Sequence, residues 1–288
     1  MARQGKASLS RQTPPASFQE VLELVEPRPA DDATQPEKKN YAEALSNRIA
    51  VWLAGKLRAT GDFKGILPNA DGSGRESKVA SGAAKKPKKT DVRFSTADTG
   101  LELLVSVKTL SFRDTRKTRT GTIVLGRYTK NMVRNDHELR AEAMDLHERF
   151  PYAVLVGVLF LPFSACDDGK DNKSSFAHAV MTLRPRAGRV RPMDPHQLFE
   201  RMFIALYEHE GPHRGKVMFF DVSTNPPRRG RPRVALIDTD ALVHEIVKTY
   251  GIRNRRYIEW ADEVPGTEAP RLEERTEDEV DETDETDS

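Results

Sequence analysis

Hydrophobic positions recur along this chain at two spacings, and the change from one to the other marks where helices give way to strands. Tyr41, Leu45, Ile49 and Trp52 follow one another at three- and four-residue steps, which predicts a helix from Asn40 to Gly61. Residues 129–149 repeat that pattern, with Met132, Leu139, Ala143 and Leu146 as the buried stripe. Between the two helices, strands are predicted at 89–95 and 101–108, separated by the turn signal "ADTG". Alternation in the second strand puts Leu101, Leu103, Val105 and Val107 on one face and Glu102, Leu104, Ser106 and Lys108 on the other. "YAVLVGVLFL", residues 152–161, is apolar almost throughout and stops at Pro162, as a strand buried on both faces would. Further on, the pattern predicts a strand near 176–183, a helix near 195–208, the strands "KVMFFDVS" and "VALIDT", and a helix near 240–250. This order implies an α/β fold, a mixed central sheet flanked by helices.

The ends read differently. Residues 1–39 are rich in Pro, Gln, Ser and charge, with "FQEVLELV" as their one apolar patch, and are expected to be mostly disordered. The core is placed at 40–265, with a Gly-, Ser- and Lys-rich loop at 69–86, and an acidic tail at 266–288. With 37% hydrophobic residues in a chain of 288, one sizeable core can be buried. A single cysteine, Cys166, excludes a disulfide framework and a Cys-based zinc site and suits a reducing compartment. The longest apolar run is ten residues, too short to span a bilayer, so no membrane association and a soluble, cytoplasmic protein are expected.

Charge changes the picture more than composition does. The formal net charge is +2, but ten acids face two bases from Arg271 to Ser288, which leaves +10 on residues 1–270. The bases cluster in Arg75–Arg93, in "RDTRKTR" (113–119), in "RPRAGRVR" (184–191) and in "RRGRPR" (228–233). A body of this kind suits a polyanion, with double-stranded DNA as the expected partner. Arg113, Arg116, Lys117 and Arg119 directly follow the second strand and are candidates for backbone contacts. Arg229-Gly230-Arg231-Pro232 looks like the core of an AT-hook, in which Arg229 and Arg231 would enter a narrow minor groove, although Pro and Gly there also suit a turn. The acidic tail is either a solubilising segment or a competitor of DNA for the basic cleft.

The candidate chemistry lies in the hairpin. Asp91 stands on the first strand and Lys108 ends the second, and a charged pair beside a core strand needs a reason, because unpaired buried charge is costly. A salt bridge at the sheet rim is one reason. Metal-assisted phosphodiester hydrolysis is the other, with Asp91 holding a hard cation and Lys108 orienting or deprotonating water and offsetting transition-state charge. Ser106 and Lys108 share a strand face, but no Gly-rich turn exposes the serine as a nucleophile. His137 and His147 are read as surface or interface residues and not as ligands, and His178 as a core or strand histidine.

"NYAEALSNR", "TDVRF", "SVK", "YTKNMVRNDHELR" and "YAVLVGVLFLP" occur in the order helix, strand, strand, helix and buried strand. In this the chain resembles the PD-(D/E)xK superfamily of type II restriction endonuclease-like nucleases over residues 41–161. The resemblance implies a restriction endonuclease-like sheet and a Mg²⁺-dependent DNA endonuclease, with Mn²⁺ as a substitute, of restriction or phage-defence type. It further implies Asp91, Lys108 and the helical Glu43 as catalytic residues, Asp91 and Glu43 as metal ligands, and a homodimer to cut both strands. Ser106 stands where the family has Asp or Glu, which also leaves open a DNA-binding protein with weakened chemistry or a partner-binding subunit. Glu43 has a second reading as the third helical residue of a capping box begun by Asn40.

Overall fold

The structure is a computed structural model and describes residues 13–75, 78–79, 88–169, 173–233 and 236–254. In chain order the elements are α1 (Phe18–Glu23), α2 (Gln35–Arg58), β1 (Lys78–Val79), β2 (Lys88–Lys89), β3 (Val92–Thr96), β4 (Gly100–Thr109), β5 (Thr115–Lys117) and β6 (Ile123–Leu125). They continue with α3 (Met132–Arg149), β7 (Val154–Pro162), α4 (Ser175–Leu183), β8 (Arg201–Tyr207), β9 (Val217–Asp221), β10 (Leu236–Ile237) and α5 (Thr239–Asn254). Six strands form one mixed sheet in the order β10-β9-β8-β7-β4-β3. β4, β7 and β8 run parallel, and β3, β9 and β10 each pair antiparallel with their neighbours. The predicted α/β class, a mixed sheet flanked by helices, is therefore the one observed.

Strand alternation divides the core into two layers. Leu103, Val105 and Val107 of β4 and Val154, Val156, Val158 and Phe160 of β7 face α1, α2 and α5. Leu104 and Leu155, Leu159 and Leu161 face α3 and α4, with Leu139, Ala143 and Leu146 of α3 packed on them. One local irregularity overturns part of the expected alternation. Phe94 pairs with Leu103 but Ser95 with Leu101, so Glu102 is the extra residue of a β-bulge. Leu101 thereby joins the layer of Leu104. Glu102 turns away to accept hydrogen bonds from the hydroxyls of Thr96, Thr99 and Tyr250, and is not on the Ser106 face.

Three expectations fail for identifiable reasons. Residues 13–39 are structured, because "FQEVLELV" forms α1 and drops Phe18 into the core, stacked on Phe160 at 5.7 Å and edge-on to Trp52 and Tyr207 at 5.4 and 5.3 Å. Residues 175–183 form a helix and not a strand. The Ser174 hydroxyl accepts the Ala177 N–H as a cap, and Phe176, Ala179, Val180 and Leu183 share its buried face. Residues 201–207 form a strand and not a helix, since an apolar run paired on both sides loses any visible period. The expected tail at 266–288, the first twelve residues and much of the 69–86 loop lie outside the described residues. No helix among the described residues is long and apolar enough to cross a membrane.

Phe18 joins α1 to both α2 and the sheet. Replacing it with alanine in the full chain is expected to cost about 3–5 kcal/mol. Denaturant unfolding would measure this, and a loss below about 1 kcal/mol would show the segment to be only loosely attached.

Candidate functional site

Because β4, β7 and β8 are parallel, their C-terminal ends open on the same edge of the sheet, the edge where α/β proteins hold ligands. Lys108 lies near that end of β4. Val92 pairs with Val105, so Asp91, one residue earlier, falls opposite Ser106 at the same end. Its carboxylate accepts the Val107 N–H at 2.8 Å. Ser106 is completely buried between Leu104 and Lys108, and Gly157 lies beside it on β7. A side chain at Gly157 would meet Met202 Cε at 2.7 Å, so the space next to Ser106 is already filled.

What covers Ser106 is a carboxylate from α3. The Ser106 hydroxyl donates to Glu142 Oε2 at 2.5 Å, and one turn earlier Glu138 Oε2 lies 3.3 Å from Lys108 Nζ. Arg134, a turn earlier again, donates to Glu138 at 2.7 Å. Burial pulls the Lys108 ammonium toward a lower pKa, but the carboxylates of Glu142, Asp91 and Glu138 outweigh it and raise the pKa above its ordinary value. Burial likewise pushes Glu138 up, yet the Arg134 hydrogen bond and the Lys108 charge leave it lowered. The result is an ammonium permanently charged near neutral pH, ringed by three carboxylates, with a quarter of the Lys108 side chain still open to solvent.

The sequence expectation and this geometry overlap in part. Asp91 and Lys108 are brought together. Glu43 is not brought to them: it is exposed on α2, which packs on the opposite, Val105–Val107 face, and the carboxylates acting on Lys108 are Glu142, Asp91 and Glu138. Nor does Glu43 cap a helix. The helix begins six residues earlier than expected, with the Thr34 N–H and hydroxyl donating to Glu37 at 2.9 and 2.6 Å. Glu142 went unrecognised, although it carried a signal: Leu139, Glu142 and Leu146 follow at helical spacing, so an acid occupies a position on the inward stripe.

The other candidates are dispersed. Arg116, Lys117 and Arg119 are exposed on the β5–β6 hairpin, while Arg113 is half-buried at its base, 6.0 Å over the Tyr128 ring. Arg229 and Arg231 are exposed, but the residues around Gly230 form a turn (φ +78°) whose N–H donates to the Cys166 carbonyl. Arg231 is committed to Glu208 at 2.5 Å and to the Phe163 ring at 4.6 Å, so an extended Arg-Gly-Arg would first have to give up these contacts. Three of the four arginines of the 184–191 cluster, Arg184, Arg186 and Arg189, are engaged by groups of the chain itself. Arg186 forms a bidentate pair with Asp136 at 2.7 and 2.9 Å, and Arg189 is buried against Glu200. His147, expected at the surface or an interface, is buried between the His196 and Ala153 carbonyls, and His178 is helical. Burial pushes the Cys166 thiol up to about 12, which makes it inert.

Raised above 10.5, the Lys108 pKa contributes stability that is fully present below its unfolded value and is lost as pH rises through its folded value. Glu142→Gln should lower that pKa, read as an earlier lysine Nζ titration by NMR, together with a smaller loss of stability above pH ~10.5. An unmoved titration would show that Glu142 does not act on the ammonium. No family model, curated protein or solved structure matches this chain.

Proposed function

We propose that this protein is a metal-dependent DNA endonuclease in which Asp91 and Glu142, and not Asp91 and Glu43, are the carboxylates beside the catalytic Lys108. The observation carrying this reading is the Ser106–Glu142 hydrogen bond. The second carboxylate, missing from the strand at position 106, is supplied from α3 and held over that same position. This restores the charge pattern of a restriction endonuclease-like centre from a different element.

The donor set suits a hard cation. Among the described residues there is no group of three His, Cys, Asp or Glu arranged to cage a metal. Mg²⁺ requires none, since it binds through one or two carboxylates and completes its shell with water and substrate phosphate. When bound, it would polarise the phosphate and lower the pKa of a coordinated water. Asp91 and Glu142 would hold it. Lys108, fixed as an ammonium, would bind a phosphate oxygen and offset charge that grows in the transition state. Ser106 orients Glu142, and Glu138 keeps the ammonium in place. Exposed Arg116, Lys117 and Arg119, and the basic body as a whole, would hold the duplex. Two chains are needed to cut both strands with one centre each.

A second reading is favoured by a specific observation: Glu138 and Glu142 are already partnered with Lys108 and Ser106, so the cluster could serve solely to clamp α3 on β4. Plasmid cutting with and without Mg²⁺ or Mn²⁺ separates the two. The nuclease reading expects metal-dependent nicking that falls at least about 100-fold in Asp91→Ala, Lys108→Ala and Glu142→Gln, while Glu43→Gln stays near wild type. Glu142→Gln keeps an acceptor for the Ser106 hydroxyl, so the variant should fold, with only the modest drop in melting temperature expected from removing one charge beside Lys108. Intact plasmid under every metal condition, with Lys108→Ala destabilised, would leave the clamp alone.

A further inference from the structure

β5 and β6 form a two-stranded ribbon hydrogen-bonded to each other and not to the central sheet. All six residues are exposed, among them Ile123, Val124 and Leu125 at 42, 49 and 46%. An isolated ribbon of this kind is marginal in water, and its consecutive branched side chains remain about half exposed. Its base is nevertheless fixed. Asp114 N–H donates to the Arg127 carbonyl at 2.9 Å, and the next residue, Tyr128, is buried with its N–H 3.0 Å from Ser175 Oγ and its hydroxyl 2.9 Å from Ser164. At the tip, Thr118 N–H donates to the Thr122 carbonyl, and Gly121 takes the left-handed conformation (φ +82°) that the turn needs. The ribbon is thus a short arm on a rigid footing.

Two observations bear on what the arm could meet. The first is position. It leaves the C-terminal end of β4, and only six residues, at most roughly 20 Å of chain, separate Lys108 from the ribbon base at Asp114. The second is how charge and apolar surface are combined. From Arg113 to Lys130 there are six bases and one acid, Asp114, whose carboxyl burial pushes above its ordinary range although the Lys130 charge opposes this. Across the ribbon Arg116 pairs with Val124 and Lys117 with Ile123. Cross-strand partners point to the same side, so each face carries a cation beside a branched apolar group and neither face is apolar. An arm built to join two protein chains would gather its apolar residues on one face. Cations mixed with methyl groups instead match the duplex major groove, which admits a two-stranded ribbon between two rows of phosphate and presents the thymine methyl on its floor.

Resting on the nuclease reading above, we propose that the β5–β6 ribbon enters the major groove of the DNA duplex next to the phosphate held at Lys108. Arg116, Lys117 and Arg119 contact phosphates, and Ile123, Val124 and Leu125 touch thymine methyl groups, so the arm supplies the sequence preference of the site.

Binding of the full chain to random-sequence duplexes would be measured over a salt series, with thymine in one set and uracil, which lacks the methyl group, in the other. The wild type should bind the uracil duplexes at least about threefold more weakly. The triple variant Ile123→Ser, Val124→Ser, Leu125→Ser should lose that difference and keep the salt dependence. Arg116→Gln, Lys117→Gln, Arg119→Gln should do the converse, making the slope of log K against log salt shallower by roughly 2–3. All six positions are exposed, and unchanged melting temperatures would confirm folding. Equal binding of both duplex sets together with an unaltered salt slope overturns the proposal, as does failure of the wild type to bind duplex. Loss of a dimer in the triple serine variant, seen by sedimentation, would also overturn it by pointing to a protein partner. Plasmid cutting by the same preparations keeps the two ideas apart. Cutting without ribbon-dependent binding removes only the arm's role, and ribbon-dependent binding without cutting removes only the nuclease.

Discussion

A buried serine hydroxyl on the inner face of β4 constrains everything around it. Ser106 has no solvent exposure, and leaving such a hydroxyl unpaired costs about 1–3 kcal/mol. It is satisfied by Glu142, a carboxylate that would itself be costly in an apolar layer without a counter-charge. Lys108 supplies that charge and in turn draws in Asp91 and Glu138. Each member compensates the one before it. The same chain of dependence sets the rotation of α3, for with Glu142 over Ser106 the helix presents Leu139, Ala143 and Leu146 to Leu104, Leu155 and Leu159.

A second buried charge cluster shows what a purely structural arrangement looks like in this protein. Glu200, 5% exposed, accepts from Arg189 at 3.0 Å, Arg253 at 2.8 Å and the Leu155 N–H at 2.7 Å. It lies at the entrance of β8, the opposite end of the parallel strands from Lys108. Both carboxylate oxygens are taken and solvent is shut out, and the cluster ties the end of α5 and the segment before β8 to the sheet. The Lys108 cluster differs in being partly open, since a quarter of the lysine and 41% of Glu138 remain accessible. An anion from solvent could reach the Lys108 cluster but not the Glu200 cluster.

The hairpin, α2, α3 and β7 were legible because each has one face in the core and one outside, or is apolar throughout over strand length. The stripe of Met132, Leu139, Ala143 and Leu146 was read correctly, and every one of these residues is buried. Legibility failed where the local pattern was decided from a distance. β8 reads as helix or strand until its pairing with β7 and β9 is known, and the bulge at Glu102 depends on register with β3. Within the site, Asp91 and Lys108 were visible because strand neighbours are close in sequence. Glu142 is 36 residues from Ser106, and only its place on the inward stripe of α3 hinted at its role. Glu43 misled because an acid near a helix start has several uses, and the true start is set by Thr34 and Glu37.

The state of Lys108 bears on how hydrolysis would proceed at such a centre. An amine whose pKa is raised by three surrounding carboxylates cannot take a proton from water near neutral pH, so the general-base role is closed to it and an electrostatic one remains. Glu138 is also a poor acceptor, because Arg134 and Lys108 hold its pKa down. Under the hydrolase reading the proton of the attacking water must therefore pass to Glu142, to a phosphate oxygen of the substrate or to bulk solvent. Glu142, assigned to the metal and with one oxygen occupied by Ser106, is the least available of these, which leaves the substrate phosphate or solvent to take the proton. The serine on the strand and the acid on the helix are coupled, because the Ser106 hydroxyl fixes one oxygen of Glu142 and so ties α3 to β4.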